Sequence, residues 1–305
     1  PLLASFAYLE CVAALPCCLS MEPNILRYNA FALTAQGGNP AGVVLDAAGL
    51  GEEEMLRIAA ELGFPESAFV TSVTPGPGDE PAAVSVRYFS PAAEVPFCGH
   101  ATVATAVALA EQQGLRSMLF STAAGDVPLL AKQEADGTWQ VSFTSVPTQS
   151  RPIPREFLEE LLALLGLTEE DLDPDFPALE SFAGNWHPVL VLAERELFHQ
   201  FRFDPRALAA LMLRAGWRGT VTVLSPLTPA SFEARNLFPV GRITEDPATG
   251  SAAASTGAYL RQISRLPSDG RVEILQGSHV GRPSRLLVQV PAEGGVTVTG
   301  GATRF

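Results

Sequence analysis

Two nearly charge-free helical stretches constrain this chain more than any other feature. The first follows the turn Cys98-Gly99-His100-Ala101-Thr102 and continues through valine, alanine, threonine and leucine from Val103 to Ala110. The second follows Asp246-Pro247-Ala248-Thr249-Gly250-Ser251, about 150 residues later, and continues from Ala252 to Leu260. Both have helical propensity but no polar face, so each must lie inside a core. A buried helix still begins with unpaired backbone N–H groups and the positive end of its dipole, which together attract a small anion. The pair therefore predicts two similar lobes, each aiming a helix start at one shared site suited to a carboxylate.

Composition narrows the chemistry. At 305 residues the chain is long enough for two domains, and its 47% hydrophobic and 17% charged residues exclude disorder. A net charge of −13 opposes phosphate backbones and anionic lipid, so no nucleic-acid partner is expected. Lys132 is the single lysine and falls in a polar stretch that reads as a hairpin turn, which argues against Schiff-base and pyridoxal phosphate chemistry. Cys11, Cys17 and Cys18 cluster near the start and leave Cys98 alone in the body, so no disulfide framework is available. Cys98 and His100 lack a second ligand pair, and His187, His199 and His279 are scattered, so no metal is expected. Residues 1–20 are apolar and irregular, without the basic residues of a secretory leader. They read as an upstream or appended extension, with Met21 as a natural start. No membrane span is expected, and the remainder reads as cytoplasmic.

Along the chain, alternation predicts a strand at 25–31, a turn at 37–40 and a strand at 41–45. A helix at 52–62 stops at Gly63, and Pro65 bars its continuation before a strand that begins near residue 66. A strand at 84–89 precedes the first buried helix, and strands at 117–122, 126–133 and 138–143 form a meander. The Pro-flanked stretch 147–152 is the best linker candidate. The second half repeats the plan, with helices at 155–165 and 205–216, the buried helix at 249–262, and strands at 187–192, 221–225, 232–238, around 274, 286–290 and 296–299. The fold class is α/β (α+β), with two pseudo-symmetric lobes, each a mixed β-sheet or roll wrapped around a buried central helix. The expected lobes are 21–146 and 147–294, with 295–305 as a final strand able to return to the N-terminal lobe.

The ordered set Asn39-Pro40-Ala41-Gly42, Glu66-Ser67-Ala68-Phe69-Val70, Arg87-Tyr88-Phe89-Ser90-Pro91, Glu94, Cys98-Gly99-His100-Ala101-Thr102, Glu245 to Ala252, Gln276-Gly277 and Gly281-Arg282-Pro283-Ser284 resembles the PhzF-like isomerase family of phenazine biosynthesis. The resemblance runs from about residue 25 to the end. It implies the diaminopimelate-epimerase-like fold, an active site in the cleft between lobes, a homodimer, a small anionic substrate and no cofactor. The best-understood member moves a proton within trans-2,3-dihydro-3-hydroxyanthranilic acid through a glutamate, and Glu66 matches that glutamate. Its position between Pro65 and the apolar run Ala68-Phe69-Val70 suits a buried carboxyl with a raised pKa, able to take a proton and return it elsewhere. A solvated, loop-capping glutamate is the ordinary alternative.

The resemblance also makes His100 a substrate-binding or proton-relay group and Asp246 its polar counterpart on the second lobe. Packing at a helix start would explain either without function. Gly99, Gly250 and Ser251 offer backbone N–H groups and a hydroxyl to the carboxylate, and Asn39 with Ala41-Gly42 reads as cleft lining or as a tight turn. Gln276-Gly277 and Gly281-Arg282-Pro283 read as turns without an assigned role. More distant cofactor-free racemases and epimerases of the implied fold use two thiols, one per lobe. No cysteine follows Cys98, which disfavours that chemistry on an amino-acid-like substrate. A lone Cys98 nucleophile assisted by His100 is an alternative, although residues so close in a turn need not face each other. A catalytically silent binding or scaffold protein is another. The expected function is a cofactor-independent isomerase.

Overall fold

The computed structural model describes residues 23–78 and 80–305, so the expected extension and its three cysteines lie outside the described residues. The N-terminal half opens with the antiparallel pair β1 (Ile25–Ala30) and β2 (Asn39–Val44). Helix α1 (Glu52–Leu62) crosses over to β3 (Glu66–Thr74), which runs parallel to β2 and antiparallel to β4 (Ala82–Phe89). The short β5 (Glu94–Val95) and helix α2 (Gly99–Gln113) then lead to β6 (Ser117–Thr122), parallel to β4. Strands β7 (Gly125–Gln133) and β8 (Trp139–Thr144) complete the meander.

The C-terminal half repeats this sequence of pairings. After β9 (Gln149–Pro152) and helix α3 (Arg155–Leu165) come the antiparallel β10 (Leu179–Phe182) and β11 (Trp186–Val191). Helices α4 (Arg195–Gln200) and α5 (Pro205–Ala215) cross over to β12 (Val221–Thr228), parallel to β11, and β13 (Ser231–Leu237) returns antiparallel. The short β14 (Glu245–Asp246) and helix α6 (Gly250–Gln262) lead to β15 (Arg271–Gln276), parallel to β13, and then to β16 (Ser284–Gln289) and β17 (Thr297–Arg304). In both halves a short strand and an apolar helix lie between two parallel neighbours. That connection carries the chain through the core instead of around it.

Strand β17 pairs with β16, with β8 and with β1, which closes β1, β2, β3, β4, β6, β7, β8 and β17 into a ring with no free edge. Helix α2 fills it and is buried from His100 to Ala110. Its threonines stay satisfied there because the hydroxyls of Thr102 and Thr105 donate to Cys98 O at 2.8 Å and Ala101 O at 2.7 Å. Helix α6 packs equally closely against its strands: a methyl group at Gly257 would stand 2.8 Å from Val290 Cγ2 and 2.9 Å from Val288 Cγ1. The two helices share one apolar cluster, while α3 and α5 cover a second one on the C-terminal half.

Some expectations need correction. Residues Gln149–Pro152 are not linker but strand β9, paired with β10; its one proline, Pro152, is tolerated at a sheet edge, and together with Pro147 just before the strand it disguises the segment in the sequence. The expected turn at 37–40 ends early, because β2 already begins at Asn39 opposite Ala30. Lys132 belongs to β7, one residue from its end, and pairs with Glu134 at 3.2 Å. Among the described residues no helix is long and apolar enough to cross a membrane.

Candidate active site

The starts of α2 and α6 meet at a cleft of about 630 Å³. Their first residues, Gly99 and Gly250, abut: a Cβ built on Gly99 would lie 3.6 Å from Gly250 Cα, and one on Gly250 would come within 2.8 Å of Phe143 Cζ. Glycine permits this approach by having no side chain. Two positive dipole ends facing each other repel unless negative charge lies nearby. Glu66 and Asp246, both lining the cleft, supply it.

Glu66 is the first residue of β3, and the parallel register with Ala41 on β2 fixes its place. Its side chain is 20% exposed and sits 3.5 Å from His100 Nε2. Cys98 Sγ donates to Glu66 Oε2 at 3.5 Å. Burial, and then the negative charge of Asp246, push the Glu66 pKa up to about 7, with the Cys98 hydrogen bond pulling the other way. Asp246, at the end of β14, is buried and has its pKa pushed up to about 6 by that burial. Hydrogen bonds from Thr249 Oγ1 and from Asn39 Nδ2, the latter at 2.7 Å, counteract the rise.

Asn39 was expected to line the cleft. It lies instead fully buried behind it, where it joins the two lobes' polar groups: Nδ2 also reaches His100 Nδ1 at 3.1 Å and Ala248 O at 3.0 Å. The amide nitrogen carries two hydrogens for three acceptors, Asp246 Oδ1, Ala248 O and His100 Nδ1, while His100 Nε2 faces Glu66 at 3.5 Å. Burial keeps the ring neutral by lowering its pKa to about 3. Cys98 and His100, whose facing was left open by the sequence, do meet, with Cys98 Sγ 3.3 Å from Nδ1. The extended backbone of Cys98 ahead of the helix brings the two side chains together. Burial also drives the Cys98 pKa well above its ordinary value, so the group is a thiol and not a thiolate. Glu66, Cys98 and His100 bring one oxygen, one sulfur and one nitrogen within 4.8 Å, a donor set that could hold a metal ion.

Residues 28–305 match the family described as phenazine biosynthesis-like protein. The chain belongs to that family. An uncharacterized isomerase from Deinococcus radiodurans is 36% identical over 271 residues, covering 87% of this chain and 86% of its own. The trans-2,3-dihydro-3-hydroxyanthranilate isomerase of Pseudomonas aeruginosa is 31% identical over 294 residues, 91% of this chain and 95% of that one. The solved structure of the Bacillus anthracis phenazine biosynthesis protein of the PhzF family superposes with a TM-score of 0.78 at 26% identity, over 93% of this chain and 97% of that one. The protein is accordingly a PhzF-family isomerase, and its two-lobed fold is the one expected.

In this PhzF-family cleft, Glu66, Gly99, His100, Asp246, Gly250 and Ser251 all reach the surface that a ligand would touch. Sequence reading missed two supports. Gln276 was set aside as a turn, yet its Nε2 donates to Asp246 O at 2.6 Å and to Thr249 Oγ1 at 3.0 Å, while Thr249 N donates to Gln276 Oε1 at 3.2 Å. The available signal was Gly277, which has φ of +81° and leaves no room for a Cβ 2.5 Å from Pro247 O, so the 276–277 turn must press against the Asp246 segment. His187, dismissed as scattered, contacts Ser251 Oγ at 3.1 Å. No local pattern marks it, because the two residues meet only once β11 lies beside the start of α6.

Proposed function

We propose that this isomerase moves a proton between carbons of a small carboxylated substrate without a cofactor, with Glu66 as the acid/base group. One observation carries the reading: an ionisable carboxyl with a pKa near 7 stands at the wall of a cleft into which two helix starts point. At neutral pH such a group exists in both forms, so it can take a proton as carboxylate and return it as acid. Moving a proton within one molecule changes neither its atoms nor its oxidation state, so the reaction requires no redox partner.

Negative charge that builds on the substrate as the proton leaves would be stabilised by the N–H groups at Gly99, Gly250 and Ser251, which are fixed in place before the reaction begins. Neutral His100 would hold Glu66 in place through its contact at Nε2, and Asp246 would keep the proton affinity of Glu66 high. The similarity to the Pseudomonas aeruginosa enzyme makes trans-2,3-dihydro-3-hydroxyanthranilate the first substrate to try. Proton NMR in deuterated buffer should show substrate loss and deuterium entering ring carbons with wild type but not with Glu66→Gln. Equal turnover by both would remove Glu66 from the role, and no turnover by folded wild type would remove this substrate.

Cys98 supports a second reading, because its thiol touches Glu66 and could itself carry a proton. Its raised pKa and the absence of a later cysteine weigh against thiol-based racemisation. Retained turnover by Cys98→Ala would exclude it.

A further inference from the structure

The cleft has a second pole that the proposed reaction does not use. Besides the two helix starts, its lining includes Arg218 and Arg242, and among the described residues neither guanidinium has a hydrogen bond or an ion pair. Acidic residues outnumber basic ones by 33 to 20, and arginines elsewhere find them: Arg87, Arg195 and Arg214 each hold a glutamate at 2.5 to 2.7 Å. The backbone places both cleft arginines. Arg218 stands between the buried Trp217 and Gly219, where an added Cβ would lie 2.6 Å from His187 Cε1, so its loop is anchored on both sides. Arg242 closes the turn Pro239–Gly241 with φ of +64°, a left-handed conformation that favours glycine. A cationic side chain kept where glycine would be less strained points to a use for the charge.

Depth separates this pole from the first. Gly250 is buried at the start of α6, whereas both arginines are exposed at the mouth, so an anion seated on the helix N–H groups is not the one that the arginines meet. We infer that Arg218 and Arg242 bind a second anionic group on the substrate, a carboxylate or a phosphate, which makes that substrate a dianion. The inference rests on the proposed reading of the cleft as a carboxylate site and adds the chemical class of the substrate's outer end. A guanidinium presents paired N–H donors that match either anion. The molecule as a whole, at −13, repels such a substrate, and local unpaired cations are what its capture requires. A substrate with one carboxylate leaves both arginines unused.

Calorimetry with three rigid probes tests it: anthranilate, with one carboxylate, and 4-aminoisophthalate and 2-aminoterephthalate, which add a second carboxylate meta or para to the first. At least one dicarboxylate should bind about 10-fold or more tighter than anthranilate, as for a hydrogen bond between charged groups. Arg242→Gly and Arg218→Ala should each remove most of that advantage, and the double variant should bind all three probes alike. Arg242→Gly also separates charge from folding, because glycine suits a φ of +64°: Tm should hold or rise while dicarboxylate affinity falls. Replacing the outer carboxylate of the tighter probe by a phosphonate tells which of the two anions the pole prefers. Dicarboxylates that bind no better than anthranilate would overturn the inference and leave the carboxylate reading standing. An advantage that survives both substitutions would also overturn it, as would anthranilate losses equal to the dicarboxylate losses, which would make the arginines general steering charges. Binding is read without turnover, so a wild type that prefers a dicarboxylate but isomerises nothing would defeat the proposed reaction alone. A wild type that ignores all three probes would defeat the carboxylate reading, and the inference with it.

Discussion

At the start of α2 the groups able to carry a proton stand 3.3 to 3.7 Å apart: Cys98 Sγ, His100 and Glu66 touch one another loosely, and Glu66 keeps a fifth of its side chain open to solvent. At the start of α6 the groups are tied at 2.5 to 3.2 Å, Asp246, Thr249 and Gln276 in one cluster and Ser251 with His187 in another. The two lobes share one pattern of strands and one kind of central helix, so the difference lies in side chains and not in architecture. It suggests a division of labour. A shuttle must change partners during the reaction and gains from weak contacts, whereas a charge-stabilising frame gains from being immobile. The substitutions that follow would break or sharpen that contrast.

The largest effect belongs to the loose side. Glu66→Gln should lower turnover by about 10²- to 10⁴-fold, the range for loss of a positioned acid/base group, while anthranilate affinity changes little. A comparable loss of affinity would mean that Glu66 serves binding and that the division is false.

The same substitution should raise stability at high pH. The Glu66 pKa rises from 4.5 unfolded to about 7 folded, so the folded state holds its proton more tightly. Its contribution is full below the unfolded value and is lost as pH rises through about 7, which amounts to about 3 kcal/mol at most. Glu66→Gln carries no charge to bury, so its gain in unfolding free energy over wild type should appear near pH 8 and vanish near pH 4. A constant difference across that range would contradict the burial account.

Much of this arrangement was legible in the sequence, and for a physical reason. A helix such as 103–110 with no charge in it has one place to go, and the motif residues that precede it must then end at its buried start. His100 and Asp246 are placed at the cleft by their position at those starts, whereas Glu66, which opens a strand, was marked out by the family resemblance. The supporting roles of Asn39, His187 and Gln276 were not legible, because each acts through a partner more than 25 residues away whose proximity depends on strand register. Strand β9 was hidden for another reason: Pro147 and Pro152 read as linker, and only pairing with Glu180 and its neighbours makes the segment a strand.

Glycine replacements offer a smaller test at the point where the two helix starts touch. A methyl on Gly250 would meet Phe143 Cζ at 2.8 Å, whereas one on Gly99 finds ordinary contacts at 3.6 Å. Gly250→Ala should therefore cost about 1–3 kcal/mol through overpacking, with Gly99→Ala near neutral in chemical denaturation. Phe143→Leu should relieve the first. Equal costs would show that the two starts are held alike after all.

The smallest expected effect is the most discriminating, because it joins the two sides. Asp246 raises the Glu66 pKa by its charge and Cys98 lowers it by donating a hydrogen bond, so removing one from each lobe should move the acid limb of kcat/KM in opposite directions. Asp246→Asn should shift that limb to lower pH and Cys98→Ala to higher pH. Burial is the larger cause of the rise, so the limb in Asp246→Asn should still lie above that of an ordinary glutamate. A limb indifferent to Asp246 would mean that the C-terminal frame does not act on the shuttle electrostatically. The proton affinity of Glu66 would then be a property of the N-terminal lobe alone, with Asp246 left to hold substrate.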